Sequence, residues 1–257
     1  MVEKVLIGAA GLGIASLAGS VIGLFVKRIS HKWNDIFMGF CAGMMLAASI
    51  VGLVAPAVTM ASLSGWWQVV AGVAAGVALI GMLDYFTPHL HHLTGLDIEK
   101  HKGNTTVNRI MMFVIAIAIH KLPEGMATGI VFDENNLSNA YAVTISIALQ
   151  NIPEGMVVVT PLLMIGVGFG RALAISVAVA LLEMLGVGVG FVLGGLSGMF
   201  LPALLGMAGG AMLYVISDEM IPETHAHGFE KQATYALVAG VLLMLYINCL
   251  LYTSDAA

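Results

Sequence analysis

The sequence predicts an all-α integral membrane protein, a single transmembrane domain over residues 1–257, and three observations carry that reading. Hydrophobic residues make up 59% of the chain and charged residues only 10%, with a mean hydropathy of +0.97. A water-soluble domain carries roughly 25% charged residues to cover its surface, so a soluble protein with a large core is excluded. The apolar residues fall in runs near the roughly 20 residues that a helix needs to cross a bilayer. The 31 glycines suit close packing of membrane helices.

Eight such runs follow in order, at about 5–26, 36–60, 66–86, 108–132, 138–165, 172–197, 200–222 and 233–252. The first begins after Met1-Val2-Glu3-Lys4 and stays uncharged to Val26. That is longer than the apolar region of a cleavable signal, about 7–15 residues, so a retained helix is expected. Cys41 and Cys249 lie inside runs, show no metal-ligand spacing or disulfide framework, and read as small buried hydrophobes.

The basic residues orient the chain. With loops assigned alternately, one side receives Lys27, Arg28, Lys32, Lys100, Lys102, Arg109, Arg171 and Lys231, and the other only Lys4. The positive-inside rule makes the first side cytoplasmic and both termini extracytoplasmic. The longest connection, 87–107, then lies in the cytoplasm with His89, His91 and His92, and the loop after the seventh run carries His225 and His227. Both loops are candidates for metal capture on exit. An ordinary role as polar loop residues fits them equally.

Ionisable side chains at membrane depth are costly and mark function by default. They concentrate in two neighbouring runs. The fourth holds His120-Lys121-Leu122-Pro123-Glu124-Gly125-Met126, and the fifth Gln150-Asn151-Ile152-Pro153-Glu154-Gly155-Met156. The Pro-Glu-Gly-Met pattern recurs thirty residues on, and Glu183 in the sixth run adds a third carboxylate. His120 and Glu124 are four apart and share a helix face, as do Gln150 and Glu154. Two such faces turned together offer an imidazole, two carboxylates and an amide oxygen, a donor set suited to zinc and related cations. Pro123 and Pro153 remove the helical partners of the Ile119 and Leu149 carbonyls and are expected to kink their helices, which is tolerated where backbone lines a cavity. If all are ionised, three carboxylates and the Lys121 ammonium leave two negative charges, matching one dication. Carboxylates left unpaired in low dielectric take up protons instead, so metal binding can displace protons.

At these residues the chain resembles the Zrt/Irt-like protein (ZIP) family of divalent-metal transporters, in its bacterial GufA-like branch. The resemblance extends to 40–49 in the second run and to 208–219 and 221–225 in the seventh. It implies eight transmembrane helices in a 3+2+3 arrangement, with helices 1–3 and 6–8 as inverted repeats around helices 4 and 5. It also implies a binuclear centre, metal movement toward the cytoplasm across the cell (inner) membrane, and a homodimer. The first metal position would use His120, Glu124, Gln150 and Glu154. The second would use positions 121, 124, 151, 154 and 183, with Glu124 and Glu154 bridging. Position 121 is Lys where the family usually has Asn, and protonated lysine offers no acceptor lone pair. Lys121 is therefore expected to take the second metal's place, paired with Glu183 or the bridging carboxylates, leaving one metal. Asn151, where relatives carry Asp, removes a further charge from that second position. The tail after Asn248 does not look like the family's usual ending and carries no functional weight.

The expected cargo is Zn²⁺, with Cd²⁺, Fe²⁺ and Mn²⁺ as alternatives, since similar sites accept several of these ions. Asp218, Glu219 and Glu223, near cytoplasmic ends with Asp84, fit an exit path or solvated interface charges equally. Asp35 beside Lys32 reads as interfacial, and Ser49 as bonded to its own helix. Two other functions compete. An intramembrane metallohydrolase would use the His-x-x-x-Glu face as a half-site, but the His-Glu-x-x-His pattern is absent and no general base stands apart from the ligands, so no enzyme is expected. A regulatory protein with a static metal would show metal-dependent stability without vesicle uptake.

Overall fold

The computed structural model describes residues 2–26, 30–61, 65–86, 121–132, 137–164, 166–196 and 200–254. All regular structure among them is helical, as expected where no water satisfies a backbone N–H or C=O and each helix must do so internally. The order is α1 (Val2–Val26), α2 (His31–Ala47), the π-helical π1 (Ala48–Val54), α3 (Ala55–Met60), α4 (Trp66–Phe86), α5 (121–131), α6 (Leu137–Met164), α7 (Phe169–Leu196), α8 (Leu201–Val215), the π-helical π2 (Ile216–Met220), α9 (Ile221–Thr224) and α10 (Glu230–Ser254). The second run is thus α2-π1-α3 and the seventh α8-π2-α9.

Five stretches among the described residues are long and apolar enough to cross a membrane: Val2–Phe25, His31–Met60, Phe169–Gly195, Leu201–Thr224 and Glu230–Leu250. The polarity of the described residues is inverted relative to a soluble fold. Leu6, Phe25, Trp66, Val192 and Leu242 are among many large apolar side chains exposed on the outside, while Glu124, Gln150, Asn151 and Glu183 are fully buried. Apolar contact with lipid outside and polar pairing inside account for both.

The two π-helical segments mark proline positions. Pro56 and Pro222 each stand second in the short helix that follows, and each lacks an N–H for the carbonyl four residues back, at Gly52 and Asp218. Widening the preceding turn to π geometry accommodates the missing bond and the ring. Pro153 stands in a different setting: the α-helical assignment of α6 continues through it, whereas the π-helical backbone lies in π1 and π2. At the end of α6, Gly166 takes a positive φ of 86°. Its N–H donates to the Leu163 carbonyl and that of Val167 to Leu162, respectively the five-to-two and six-to-one bonds of a glycine C-cap.

Glycines decide which helices lock together. A Cβ on Gly19 would lie 2.0 Å from the Ile152 carbonyl oxygen, and one on Gly155 2.6 Å from that of Ser16, so α1 and α6 touch backbone to backbone. Gly125 and Gly190 do the same for α5 and α7, against Glu183 and Met126. A second group forms likewise: Gly43 and Gly240 join α2 to α10, and Gly76 and Gly210 join α4 to α8. Between the group α1, α5, α6, α7 and the group α2-π1-α3, α4, α8-π2-α9, α10, no described glycine meets backbone. The contact of that kind is Gly52 against the Val143 side chain. Sulfur contacts also cross this seam: the Cys41 thiol donates to the Gln150 carbonyl at 3.5 Å, and the Ser146 hydroxyl meets the Met244 sulfur.

Candidate metal site

The site forms where α5 and α6 face each other, with α7 and α1 behind. Lys121 opens the described part of α5, and Glu124 follows one turn later on the same face. The Lys121 ammonium donates to Glu124 Oε2 at 2.7 Å, Glu154 Oε2 at 2.8 Å and Asn151 Oδ1 at 2.6 Å. These three bonds use its full donor capacity. Gln150 Nε2 donates to the other oxygen of Glu124 at 2.7 Å. Asn151 Nδ2 donates to Glu183 Oε1, and the Ser16 hydroxyl to Glu183 Oε2, both at 2.7 Å. Both oxygens of Glu124 and of Glu183 are thereby engaged, and Asn151 links the ammonium to Glu183.

Glycine makes this convergence possible. The approach of Gly125 to the Glu183 backbone brings α7 against α5, and that of Gly155 to Ser16 brings α1 against α6. Both glycines directly follow the glutamates of the repeated motif. The same four residues therefore supply a carboxylate on one face and a smooth surface for a neighbouring helix on another.

Access is uneven. The side chains of Lys121 and Glu124 are 3% and 0% exposed, against 12% for Glu154, so the site opens on the Glu154 side. Gln150 Oε1 is buried without a hydrogen-bond partner, an acceptor whose desolvation nothing offsets and which suits a hard or borderline cation. Among the described residues, no group of three or more His, Cys, Asp or Glu side chains stands in position to hold a metal ion. Lys121 and Asn151 are interposed between Glu183 and the Glu124–Glu154 pair.

Lys121 pairs directly with Glu124 and Glu154 and reaches Glu183 only through Asn151. Ser16, a positioning group for Glu183, had no signal in the sequence, being one small residue in a run of small residues. His120, His89, His91 and His92 lie outside the described residues. The outlying polar residues separate. Asp218 lines an open cleft of about 310 Å³ with Val77, Leu213, Tyr214 and Ser217, away from the Lys121 cluster. Glu219 and Glu223 are half-buried on π2 and α9. His225 is exposed and its Nδ1 contacts the Ile221 carbonyl of its own helix.

Two readings of polar residues need correction. Asp35 is not a surface charge beside Lys32: it is fully buried, and its Oδ1 lies 3.0 Å from Nδ1 of His227, whose ring stacks on His31 at 4.5 Å. Its partner is remote in sequence, whereas Lys32 is adjacent, so proximity along the chain misdirected the assignment. Ser49 does not bond its own helix, unlike Ser20, Thr144, Ser146 and Ser176. Its hydroxyl donates 2.9 Å across to the Gly209 carbonyl on α8, because Gly209 lets the two backbones approach.

Comparison with known proteins identifies the family. The family model described as "ZIP Zinc transporter" matches residues 87–248. The chain is 41% identical over 253 residues to "Zinc transporter ZIPB" of Bordetella bronchiseptica, covering 95% of this chain and 80% of that protein. It is 35% identical over 251 residues to "Zinc transporter GufA" of Myxococcus xanthus, covering 93% and 98%. It is 30% identical over 260 residues to "Zinc transporter ZupT" of Clostridium perfringens, covering 90% of each. These relatives are named as transporters and not as enzymes. With helices apolar enough to span a bilayer, paired Pro-Glu-Gly motifs meeting on one cation, and relatives of this similarity over nearly its whole length, the chain belongs to the ZIP family.

Proposed function

We propose that this protein carries a divalent transition metal, with zinc as its principal cargo, through the membrane toward the cytoplasm, and that His120, Glu124, Gln150 and Glu154 form the metal position. The observation that carries this reading is the Lys121 ammonium held between Glu124 and Glu154 on two separate helices. A buried pair of carboxylates converging on one positive charge is a cation site, and the orphan Gln150 Oε1 beside it offers a further oxygen. Lys121 stands where the family's second metal would be, with Asn151 and Glu183 completing that side, so one metal binds per chain. The names of the relatives favour zinc over Cd²⁺, Fe²⁺ or Mn²⁺.

We further propose eight spans in a 3+2+3 arrangement with both termini extracytoplasmic, and a homodimer. The π segments before Pro56 and Pro222 support the inverted repeat, since they fall in the second and seventh runs, which that symmetry relates. Transport then proceeds by one glycine-locked group rocking or sliding against the other. Their contact is made by side chains, which can exchange neighbours, whereas the glycine-to-backbone contacts of the pairs α1–α6, α5–α7, α2–α10 and α4–α8 cannot.

Zinc uptake into proteoliposomes tests this reading. Glu124→Ala and Glu154→Ala are each expected to reduce flux to the level of empty vesicles. Unchanged flux in both variants removes the two carboxylates from the path. Zinc-dependent thermal stabilisation of the wild type without uptake would favour a static metal site.

A further inference from the structure

We infer that Lys121 is a tethered counter-cation: its ammonium and the transported metal take turns on Glu124 and Glu154, and the ammonium lets the carrier return without cargo. This inference rests on the transport reading of the same site.

The argument begins with which oxygens are engaged. Lys121 holds Glu124 Oε2 and Glu154 Oε2, and Gln150 Nε2 holds Glu124 Oε1. Glu154 Oε1 and Gln150 Oε1 are the acceptors on these three side chains that those bonds leave over. A dication bound through both carboxylates can take Glu154 Oε1 but still needs an oxygen of Glu124, both of which are engaged, and it would stand within a few ångström of the ammonium where that now lies. In a poorly polarisable interior that repulsion is large, so metal and ammonium exclude one another from the carboxylate pair.

The structure also supplies somewhere for the ammonium to go. Asn151 Oδ1 accepts from it at 2.6 Å, and Asn151 Nδ2 donates to Glu183 Oε1. A lysine has a flexible four-carbon stem, so its head can draw back toward the Asn151–Glu183 limb while a metal occupies Glu124 and Glu154. That limb is anchored from behind by Ser16. The ammonium thus keeps an anionic neighbour in both arrangements.

The cycle explains why a cation on a tether is useful. A carrier that delivers a metal must bring its binding site back across the membrane. Two buried carboxylates without a counter-charge are costly to hold in such a setting. A lysine built into the same helix as Glu124 accompanies the site wherever it moves and replaces the lost charge after each delivery. In zinc-for-zinc exchange the site is loaded in both directions, and the ammonium is not needed for the return.

That difference gives the test. Wild type, Lys121→Met and Lys121→Arg are reconstituted in proteoliposomes, and two rates are measured for each: net zinc uptake into zinc-free vesicles, and exchange of labelled zinc at equal concentrations on both sides. For Lys121→Met the ratio of net uptake to exchange is expected to fall about tenfold or more, equivalent to one decade in the rate of a single step. Lys121→Arg, which keeps the charge, should retain a ratio closer to wild type. If the methionine variant does not purify as a monodisperse protein, Lys121→Gln, which keeps a donor without charge, carries the same comparison. A ratio unchanged from wild type in the neutral variant overturns the inference, even if both rates fall. Wild type that supports neither rate would instead overturn the transport reading.

Discussion

Lysine at 121 is the hub of the buried polar cluster, bonded to Glu124, Asn151 and Glu154. Its ammonium draws Glu124 and Glu154 together, and the asparagine at 151 then has one partner of each sign: Oδ1 accepts from Lys121 and Nδ2 donates to Glu183. An aspartate at 151 would have no hydrogen to give Glu183 and would set two carboxylates face to face, so the lysine and the asparagine form a matched pair. Replacing Lys121 by Asn frees the acceptors that it now occupies. A second zinc per chain is the expected result, measured by anomalous scattering or by metal analysis of purified protein, and an unchanged metal count refutes the substitution of lysine for metal. Ser16 is the other residue with a defined task. Ser16→Ala leaves one oxygen of a fully buried carboxylate without a donor, which costs about 1–3 kcal/mol and should appear as a lower melting temperature in detergent.

Among the helices, close packing depends on missing side chains more than on those present. A Cβ at Gly43 would lie 1.9 Å from the Leu237 carbonyl oxygen, and backbone cannot yield as a flexible side chain does. Gly43→Ala is therefore expected to part α2 from α10 and lower the yield of folded protein, whereas Gly188→Ala, where nothing lies within 4 Å, should leave it unchanged or raise it slightly through helix propensity. Size-exclusion profiles of the two variants make the comparison. The extent of most helices was legible from apolar runs alone, because a bilayer imposes length and composition on anything that crosses it. Glu124 and Glu154 were legible as partners because the repeated Pro-Glu-Gly-Met motif put them on matching faces. The π segments were not, since composition carries no mark of hydrogen-bond register, and Pro56 and Pro222 look no different in sequence from Pro153, through which α6 continues. Asp35 and Ser49 were misplaced for a related reason: each meets a group more than 150 residues away along the chain, invisible to any local window.

At the scale of the molecule, two groups of helices are each sewn together by glycine and meet along a seam of side chains. If the seam must shift during transport, fixing it should stop transport. A Cβ at Gly52 would stand 3.9 Å from that of Val143, within the roughly 3.5–4.5 Å that a disulfide spans. Gly52→Cys with Val143→Cys should therefore lose zinc flux on oxidation and regain it on reduction. Leu53 and Gly209 offer a control at 3.6 Å inside one group, and oxidising that cysteine pair should leave flux intact. Equal inhibition by both cross-links would show that the seam has no special mobility.

The bond between Asp35 and His227 joins residues 192 positions apart. On the ribosome, α2 is made long before its partner. At about 5–20 residues per second, the nascent chain must hold that carboxylate for roughly 10–40 s before the imidazole emerges. Until then the aspartate has to be kept hydrated or shielded. The contact between α2 and the segment carrying His227 is completed only when translation is nearly finished.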